Sequence, residues 1–543
     1  MTFQISSRVR AIASEICESD CIPGYLDDAT TLNLATAENW LIRKELAELY
    51  RGLVQNHLDS STLSYGKGFG GDPELLEATA AIFNNYFNPA HPVCPDDVVI
   101  TTGASLCLDA LMYSLCEVGD EVLITAPYWI QITLTFGKFK GANPHHHNLD
   151  GFDKHLVLRT GVKLLPIYEP SADIGLTPLE DLLKGSLVPA LTQAYESSAD
   201  PSRVKALVIT NSHNPYGRYY PESVIREAML WCGERGVHYV SDEVYALSEL
   251  MAPEEGLRDG DQNIREKPTS SLFVSALSVR FEGDEPDVNN PSRGSIGPRV
   301  DKVPEISVIW GTSKDLCSSG LRVGVYVHRQ APASASRLVT ATTGAPASNP
   351  LVSIPVDRSP LTTVLSNLTT SHLPTLTTSL LTKELFKSPL LRELFPLART
   401  RLRENYLLLR DHLQKWDVPY VEVQGAPFVL ARLACAVARG IGNGKLSTKG
   451  RGEVMGCSCT WEDEEFLVKL LRDRAGVLVA PGRQYHIANE TDSGMSSGSD
   501  GQGEPDNKRA GWVRITFGVP RPTLVKAIAR ISAVLGLEGQ VTV

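Results

Sequence analysis

The chain has 543 residues, of which 42% are hydrophobic and 21% are charged, and its formal net charge is -11. A chain of this length can bury a large core and favours two domains. The acidic balance argues against a nucleic-acid-binding protein, because phosphate contacts need a basic surface, and no apolar run reaches the length of a membrane span.

Ten cysteines are scattered along the chain. This spread is typical of reduced thiols in a cytoplasmic protein rather than of a disulfide framework. Cys457 and Cys459 form a C-x-C pair, but no second pair lies nearby to complete a metal site. We therefore expect a cytoplasmic protein without a bound metal.

Short β-branched runs alternate with helical patterns through the first two thirds of the chain. Residues 224–236 form one such helical pattern, which ends at a glycine. Strands separated by helices predict crossover connections and a mostly parallel sheet flanked by helices. The strand candidates are 98–103, 121–127, 204–210, 237–244 and 306–311.

The C-terminal third predicts a smaller α+β domain, because a long amphipathic helix at 393–416 is followed by short strand candidates and a closing helix. Three segments look inserted: 251–304 and 331–383 by composition, and 488–510, which is of low complexity and predicted to be disordered. The predicted organisation is an N-terminal arm at 1–60 that contributes to the small domain, a large domain at 61–330, a Ser/Thr/Pro-rich connection at 331–390 and a small domain at 391–543.

Residues 66–71, G-K-G-F-G-G, match the glycine pattern of dinucleotide-binding sites. That pattern is informative only after a strand, and the residues before it are polar and lack strand alternation. Asp72 and Pro73 instead predict the N-cap and first residue of a helix. We interpret the stretch as a glycine loop before a capped helix.

Four stretches place unusual groups near the ends of predicted strands, where ligands bind in open α/β sheets. In the first, T-T-G-A-S-L at 101–106, free N–H groups at a helix start and the Ser105 hydroxyl suit an anion. In the second, N-S-H-N-P-Y-G at 211–217, Asn214 is either a turn residue or a hydrogen-bond donor to a ligand.

The third and fourth stretches carry charged groups. In S-D-E-V-Y at 241–245, the Asp242 carboxylate ends an apolar strand, where it needs a cation, and Tyr245 lies three residues on. In G-T-S-K-D at 311–315, Lys314 follows another apolar strand, and Arg322 is a planar donor matched to phosphate oxygens. A phosphate pocket, an acid, a ring-oxygen donor and a lysine together fit pyridoxal phosphate.

The order of these motifs resembles the class I/II aminotransferases, which are fold type I pyridoxal phosphate enzymes. The shared stretches are N-P-x-G, S-D-E-V-Y, T-S-K-D followed by L-R-V-G, and G-W-V-R-I-T-F-G. T-A-E-N-W-L at 36–41 is similar to the 1-aminocyclopropane-1-carboxylate synthase-like branch. The resemblance implies a large cofactor domain, a small domain built from both chain ends, and a homodimer with active sites at the interface.

The resemblance also implies roles for individual residues. Lys314 would form the Schiff base with the cofactor, Asp242 would pair with its ring nitrogen, and Arg514 would bind the substrate α-carboxylate. Glu38 would face the substrate, and Tyr65 would reach the phosphate held by the partner subunit. The remaining implied cofactor contacts are Ala104, Ser105, Trp129 with Tyr128 beside it, Asn214, Tyr245, Thr312, Ser313 and Arg322.

One position departs from the family pattern. Many relatives carry a serine phosphate ligand three positions before the lysine, where this chain has Gly311. Thr312 or Ser313 must then take over, or the phosphate has one contact fewer.

The implied chemistry begins with proton removal from Cα by Lys314 and a carbanion that the cofactor ring stabilises. Three alternative reactions can follow: amino-group transfer, γ-elimination with ring closure, or β-elimination as in a carbon–sulfur lyase. We expect amino-group transfer on an α-amino acid in a biosynthetic pathway. A catalytically silent regulator on the same fold is a further alternative, although such relatives usually lack the lysine or the acid.

Overall fold

The computed structural model describes residues 30–129, 160–250, 272–281, 303–329, 358–440, 459–487 and 509–537. Its strands are β1 Leu32–Asn33, β2 Val98–Thr101, β3 Glu121–Ala126, β4 Lys163–Tyr168, β5 Val204–Thr210, β6 His238–Asp242, β7 Ile306–Gly311, β8 Gly324–Arg329, β9 Phe428–Ala431, β10 Val477–Leu478, β11 Ala480–Pro481 and β12 Val513–Thr516. Its α-helices are Arg43–His57, Pro73–Tyr86, Ala104–Leu115, Val188–Ser197, Glu222–Arg235, Thr312–Asp315, Pro360–Thr370, Lys383–Lys387, Leu391–Lys415, Ala434–Gly440, Trp461–Leu470 and Arg521–Val534.

A seven-stranded sheet organises the larger part of the molecule. Its strand order is β2-β8-β7-β6-β5-β3-β4. The pairs from β7 through β6, β5 and β3 to β4 are parallel, and β8 is antiparallel to both of its neighbours. The expected mostly parallel sheet flanked by helices is therefore confirmed.

Both faces of this sheet are buried, because alternate residues of each strand enter different hydrophobic clusters. In β5, Leu207 and Ile209 join the larger cluster, whereas Ala206 and Val208 join the cluster that contains the helix Ala104–Leu115. Sheets covered on both faces have near-continuous apolar strands rather than alternating ones, as in the sequence V-K-A-L-V-I-T.

The C-terminal part folds around a three-stranded sheet of order β11-β12-β9. The helix Leu391–Lys415 and the closing helix Arg521–Val534 pack on a second large cluster of buried residues. Leu34, near the N-terminal end of the described chain, belongs to the same cluster, and β1 pairs in parallel with β10. The α+β character predicted for this region is confirmed, and the domain boundaries stay a prediction.

Described parts of two segments that were predicted to be inserted are buried, while the insertions themselves stay a prediction. Residues 272–281 are an apolar run whose members Phe273, Leu277 and Val279 are buried in the main cluster, although the polar composition around them suggested a surface insertion. Arg509, expected in a disordered loop, is buried and donates to the Asp173 carboxylate at 2.6 Å. Residues 251–271, 282–302, 331–357 and 488–508 lie outside the described residues. The described part of 331–383 contains the helix Pro360–Thr370, in which Leu365 is buried.

The glycine loop at 66–71 does not follow a strand. It comes after a 3-10 turn at Ser60–Leu63, and the Asp72 carboxylate accepts a hydrogen bond from Glu74 N to cap the helix Pro73–Tyr86. The interpretation as a loop before a capped helix is confirmed. Within the described residues, no helix is long and apolar enough to cross a membrane.

Candidate active site

Two neighbouring parallel strands deliver the central groups of the candidate site. Asp242 is the last residue of β6 and pairs in register with Ile309 of β7. β7 ends two residues later, and the short helix Thr312–Asp315 follows at once and carries Lys314. Lys314 and Asp242 therefore lie at the same carboxyl edge of the sheet, where the sequence predicted them.

The Lys314 amine is partly buried and donates a hydrogen bond to Ala37 O at 2.6 Å. Burial and the nearby Arg514 guanidinium together lower the pKa of Lys314 to about 8, although Glu38 acts to raise it. At pH 7, an amine with this pKa is neutral in a much larger fraction of the molecules than an ordinary lysine is. The site thus holds a nucleophilic amine in contact with the predicted TAENWL stretch.

The Asp242 carboxylate has a raised pKa of about 6, because burial disfavours its charged form. Its remaining neighbours, Val244 N and the Lys314 amine, lower this pKa. A buried carboxylate whose negative charge is only partly balanced by its neighbours can stabilise a further positive charge. This is the property that a partner for a protonated ring nitrogen needs.

Two glycines bring the strand end, a helix start and Arg322 into contact. A Cβ on Gly103 would lie 2.3 Å from Arg322 Nη2, so the guanidinium lies directly against the residue that precedes the helix Ala104–Leu115. A Cβ on Gly324 would lie 2.6 Å from Ala104 N. Arg322 and the helix start that bears Ser105 therefore converge, as expected for an anion site.

Gly311 is required by packing. It pairs with Gly324 across β7 and β8, and a Cβ at this position would lie 2.6 Å from Val323 O. A serine cannot fit there, which explains the departure from the family pattern. Thr312, the next residue, is fully buried, and its hydroxyl has no hydrogen-bond partner among the described residues. Thr312 is thus a better placed substitute than Ser313, which is only partly buried.

Arg514 of β12 reaches from the three-stranded sheet to the same place. Its Nη1 donates to Asn214 Oδ1 at 2.9 Å, and its Nη2 donates to Ala35 O at 2.6 Å. Its guanidinium carbon lies 4.7 Å from the centre of the Phe428 ring. Because Asn214 uses its oxygen on Arg514, its amide group is the part that can donate to a ring oxygen.

Aromatic residues surround these groups. Tyr245 is buried and packs edge-on against Phe428 at 5.4 Å between ring centres. Burial raises the pKa of Tyr245, so the phenol stays protonated. Trp129 follows β3 and is partly buried against both clusters that cover the large sheet. Its neighbour Tyr128 stacks on His486 at 4.8 Å, which leaves Trp129 as the better candidate for contact with a ring.

Glu38 lies near Lys314 but already has protein partners. Its carboxylate accepts hydrogen bonds from Trp40 Nε1 at 2.8 Å and Arg43 Nη2 at 3.0 Å, and from the Ser319 hydroxyl. Burial alone would raise the pKa of Glu38, but these donors outweigh burial and lower it. Glu38 is therefore held ionised at the edge of the site.

Tyr65 is not brought into this cluster. It lies in the loop after the turn Ser60–Leu63, and its side chain is fully exposed at 102%. Leu63 and Phe69 are exposed beside it in sequence, at 82% and 54%.

Residues 184–531 match the model of the aminotransferase class I and II family. The chain is 33% identical over 508 residues to the probable aminotransferase aclI of Aspergillus oryzae, covering 93% of this chain and 91% of that protein. The chain belongs to the class I and II aminotransferase family. This aminotransferase is also 30% identical over 246 residues to 1-aminocyclopropane-1-carboxylate synthase 1 of Oryza sativa subsp. indica, covering 45% and 38% of the two chains.

The fold agrees with that assignment. An aromatic aminotransferase from Pyrococcus horikoshii superimposes with a TM-score of 0.57 at 15% identity, covering 94% of this chain and 97% of the other. The resemblance to the family and its synthase-like branch is thereby confirmed, as is the pyridoxal phosphate cofactor that the family uses.

The residues of this aminotransferase fit that cofactor. A buried threonine hydroxyl without a partner and an arginine beside a helix start suit a phosphate, and a partly buried amine suits an aldehyde. Asp242 supplies the negative charge that a ring nitrogen needs. The observed side chains therefore supply each kind of group that the cofactor requires.

The pKa of Lys314 leads to a prediction of pH dependence. With a pKa of about 8, about a tenth of the amine is neutral at pH 7. We expect the rate at which pyridoxal phosphate labels Lys314 in cofactor-free protein, trapped with borohydride, to rise about tenfold from pH 6 to pH 7 and to level off above pH 8. Lys387 is an internal control, because Glu74 raises the pKa of its exposed amine. Labelling of Lys314 that still rises between pH 9 and pH 10 would contradict the lowered pKa.

Asp315 was missed by the sequence analysis, although it stands next to the lysine. Its buried carboxylate accepts hydrogen bonds from Trp310 Nε1 at 2.8 Å, Leu247 N at 3.0 Å and Ser248 Oγ at 2.6 Å. These bonds tie the turn that carries Lys314 to the turn that follows Tyr245. The only available signal was an acid beside an apolar strand end, which resembles a helix-capping residue.

Replacing Asp315 by alanine is expected to destabilise the cofactor-free protein by about 3 kcal/mol, because three buried donors lose their acceptor. Asp315→Asn keeps one acceptor oxygen, so this variant should be destabilised less than Asp315→Ala. Urea unfolding measures both, with the surface variant Asp411→Ala as the control. Equal stability of Asp315→Ala and Asp411→Ala would show that the carboxylate does not tie the two turns together.

Proposed function

We propose that this protein transfers the amino group of an α-amino acid to a 2-oxo acid in a biosynthetic pathway. The observation that carries the proposal is the convergence of Lys314, Asp242 and Arg514. Burial lowers the pKa of the Lys314 amine and the Arg514 guanidinium lowers it further, whereas burial raises the pKa of the Asp242 carboxylate and the Lys314 amine partly offsets that rise. One amine, one carboxylate and one guanidinium thus share a single buried space.

Each of these groups has a distinct part in the proposal. Lys314 holds the cofactor covalently, and Asp242 pairs with its ring nitrogen. Thr312 and Arg322, with the helix start at Ala104 and Ser105, hold the phosphate. Asn214 and Tyr245 donate to the ring oxygen, and Trp129 packs against the ring.

Arg514 binds the substrate through its α-carboxylate, because a buried guanidinium is the donor best matched to a carboxylate. Pyridoxal phosphate, when bound, supplies an electron-withdrawing ring that weakens the Cα–H bond of an attached amino acid. Lys314 Nζ would accept the Cα proton and deliver it to the former aldehyde carbon of the cofactor, which suits an amine whose pKa lies near the working pH. Glu38, ionised near Lys314, faces the substrate.

The surrounding chain supports this division of roles. Asn214 and Ala35 hold two nitrogens of Arg514, so its guanidinium cannot swing away from the site. The Ala37 carbonyl accepts a hydrogen bond from the Lys314 amine and holds it in place. The Ala35 and Ala37 carbonyls lie in one N-terminal stretch, which therefore contacts both Arg514 and Lys314.

We further propose a cytoplasmic homodimer with shared active sites. The exposed side chains of Tyr65, Leu63 and Phe69 support the homodimer. An aromatic residue as exposed as Tyr65 has little to contact within its own chain. Tyr65 would then reach the phosphate bound by the partner subunit.

The reaction is tested by incubating the holoenzyme with a panel of L-amino acids and 2-oxo acids. Amino-group transfer predicts a new 2-oxo acid and a new amino acid in equal amounts. Ammonia or free thiol without such exchange would contradict transfer and favour β-elimination, and a cyclopropane amino acid would favour γ-elimination. No reaction with any pair, from a protein that binds the cofactor, would favour a silent regulator.

A further inference from the structure

Two adjoining buried side chains at the proposed carboxylate site each carry a polar atom without a hydrogen-bond partner among the described residues. The Tyr485 hydroxyl and Arg514 Nε have no hydrogen-bond partner among the described residues. The Arg514 guanidinium carbon is 5.1 Å from the centre of the Tyr485 ring, and neither side chain is more than 1% exposed. A buried polar atom without a partner costs about 1–3 kcal/mol. Native proteins usually supply its partner, so two such atoms on adjoining side chains indicate a ligand that carries oxygen acceptors.

The position of Tyr485 is fixed by its surroundings. Its residue closes the 3-10 turn Gly482–Tyr485, and its carbonyl accepts a hydrogen bond from Tyr128 N at 3.0 Å. The buried Glu464 carboxylate accepts from Arg483 N at 2.8 Å and from Gly511 N at 3.0 Å. One carboxylate thus joins the segment that carries Tyr485 to the segment that leads into Arg514.

The Tyr485 ring joins the main hydrophobic cluster, and its contact with Arg514 connects it to the candidate site. Arg514 has the Phe428 ring at 4.7 Å on another side, and Phe428 packs in turn against Tyr245. Burial raises the pKa of Tyr485 to about 12, although Arg514 lowers it, so the phenol is a hydrogen-bond donor at any working pH. The Tyr485 phenol also contributes to the raised pKa of Tyr245, which faces the proposed cofactor.

We propose that Tyr485 is a substrate-binding residue whose hydroxyl donates a hydrogen bond to the carboxylate that Arg514 binds. This rests on the proposed function, in which Arg514 receives the α-carboxylate. The carboxylate brings two oxygens, and the two atoms without partners, Tyr485 Oη and Arg514 Nε, are both donors. Tyr485 therefore favours α-amino acids over amines that lack a carboxylate.

The test compares Tyr485→Phe with Tyr239→Phe. Tyr239 is also fully buried with a hydroxyl that has no partner among the described residues, but it lies in β6 within the core. Both changes remove one oxygen atom, so they are matched in size and burial. The probes are L-alanine and ethylamine, which differ only by the carboxylate and are small enough to enter a site of any side-chain specificity.

Dissociation constants are measured from the change in cofactor absorption when each probe is added to the holoenzyme. Tyr485→Phe is expected to raise the constant for L-alanine about tenfold, the effect of one hydrogen bond to a charged group, and to leave that for ethylamine unchanged. Tyr239→Phe should change neither. The melting temperature of Tyr485→Phe should equal or exceed that of the wild type, because an unpaired buried hydroxyl is removed.

Four results would overturn the proposal, and they separate its failure from that of the proposed function. A constant for L-alanine within about twofold of wild type in Tyr485→Phe, while Arg514→Lys weakens binding, would refute the role of Tyr485 alone. An equal rise for ethylamine would show that the phenol only shapes the pocket. Unchanged binding in Arg514→Lys, or no binding of L-alanine by the wild type, would refute the carboxylate site itself.

Discussion

Replacing Lys314 by alanine is expected to lower the turnover of this enzyme by at least about 10⁴-fold, because the change removes both the covalent attachment point and the proton acceptor. The variant should also lack the visible absorption that the wild type shows with pyridoxal phosphate. The cofactor-free variant should still fold, since removal of a buried amine also removes the cost of burying it. Initial rates with the best amino acid, absorption spectra and thermal melting measure the three quantities.

Lys387→Ala is the matched control for this variant. Lys387 is exposed and pairs with Glu74 at 2.6 Å, far along the chain from the candidate site. It should keep wild-type rates and wild-type absorption. Turnover in Lys314→Ala within about tenfold of the control would mean that another amine performs the chemistry.

Asp242→Asn is expected to lower turnover by about 10³-fold while leaving the shape of the site intact. The amide has nearly the same size but cannot balance a positive charge on the ring nitrogen. The pKa of Asp242 in the folded, cofactor-free protein is raised to about 6, so its charge is lost as the pH falls through 6. Affinity of the wild type for the cofactor should therefore fall below pH 6, and that of Asp242→Asn should not change with pH in this range.

Two further variants show whether the lower turnover of Asp242→Asn comes from loss of charge or from loss of stability. Asp242→Glu restores the charge at a slightly different position and should recover part of the turnover. Asp120→Asn removes another buried carboxylate, which lies at the opposite end of the sheet and pairs with Arg203 at 3.1 Å. If Asp120→Asn lowered turnover as much as Asp242→Asn, loss of stability rather than loss of charge would explain the effect.

Strands buried on both faces were the most predictable elements of the fold. The runs V-K-A-L-V-I-T and I-S-V-I-W-G were predicted at the residues that form β5 and β7. Their continuous apolar character follows from helices on both faces of the sheet. The order of the strands was not predictable, because it depends on contacts between distant segments.

The strand β4 was missed, since K-L-L-P-I-Y contains a proline that usually excludes a strand. It is an edge strand beside β3, with Pro166 opposite Ile124, and an edge tolerates a residue that lacks an N–H group. The buried run 272–281 was missed for a different reason. Its polar flanks dominated the average composition of 251–304 and concealed its apolar residues.

The chemistry-bearing residues of the site were predictable where they follow a strand, as Asp242 and Lys314 do. Their partners were not, because contacts such as Arg514 with Asn214 join residues 300 positions apart. The need for glycine at 311 was likewise not predictable, because it comes from packing: the neighbouring strand leaves no room for a side chain. The proposed role of Tyr485 depends on an unpaired hydroxyl, which no sequence pattern indicates.

The most direct test of the account is to locate the lysine that binds the cofactor. The holoenzyme is reduced with borohydride and digested, and the peptide that carries the pyridoxyl group is sequenced by mass spectrometry. The account predicts one modified peptide, with the label on Lys314. A label on any other lysine, or a protein that carries no label after incubation with pyridoxal phosphate, would contradict it.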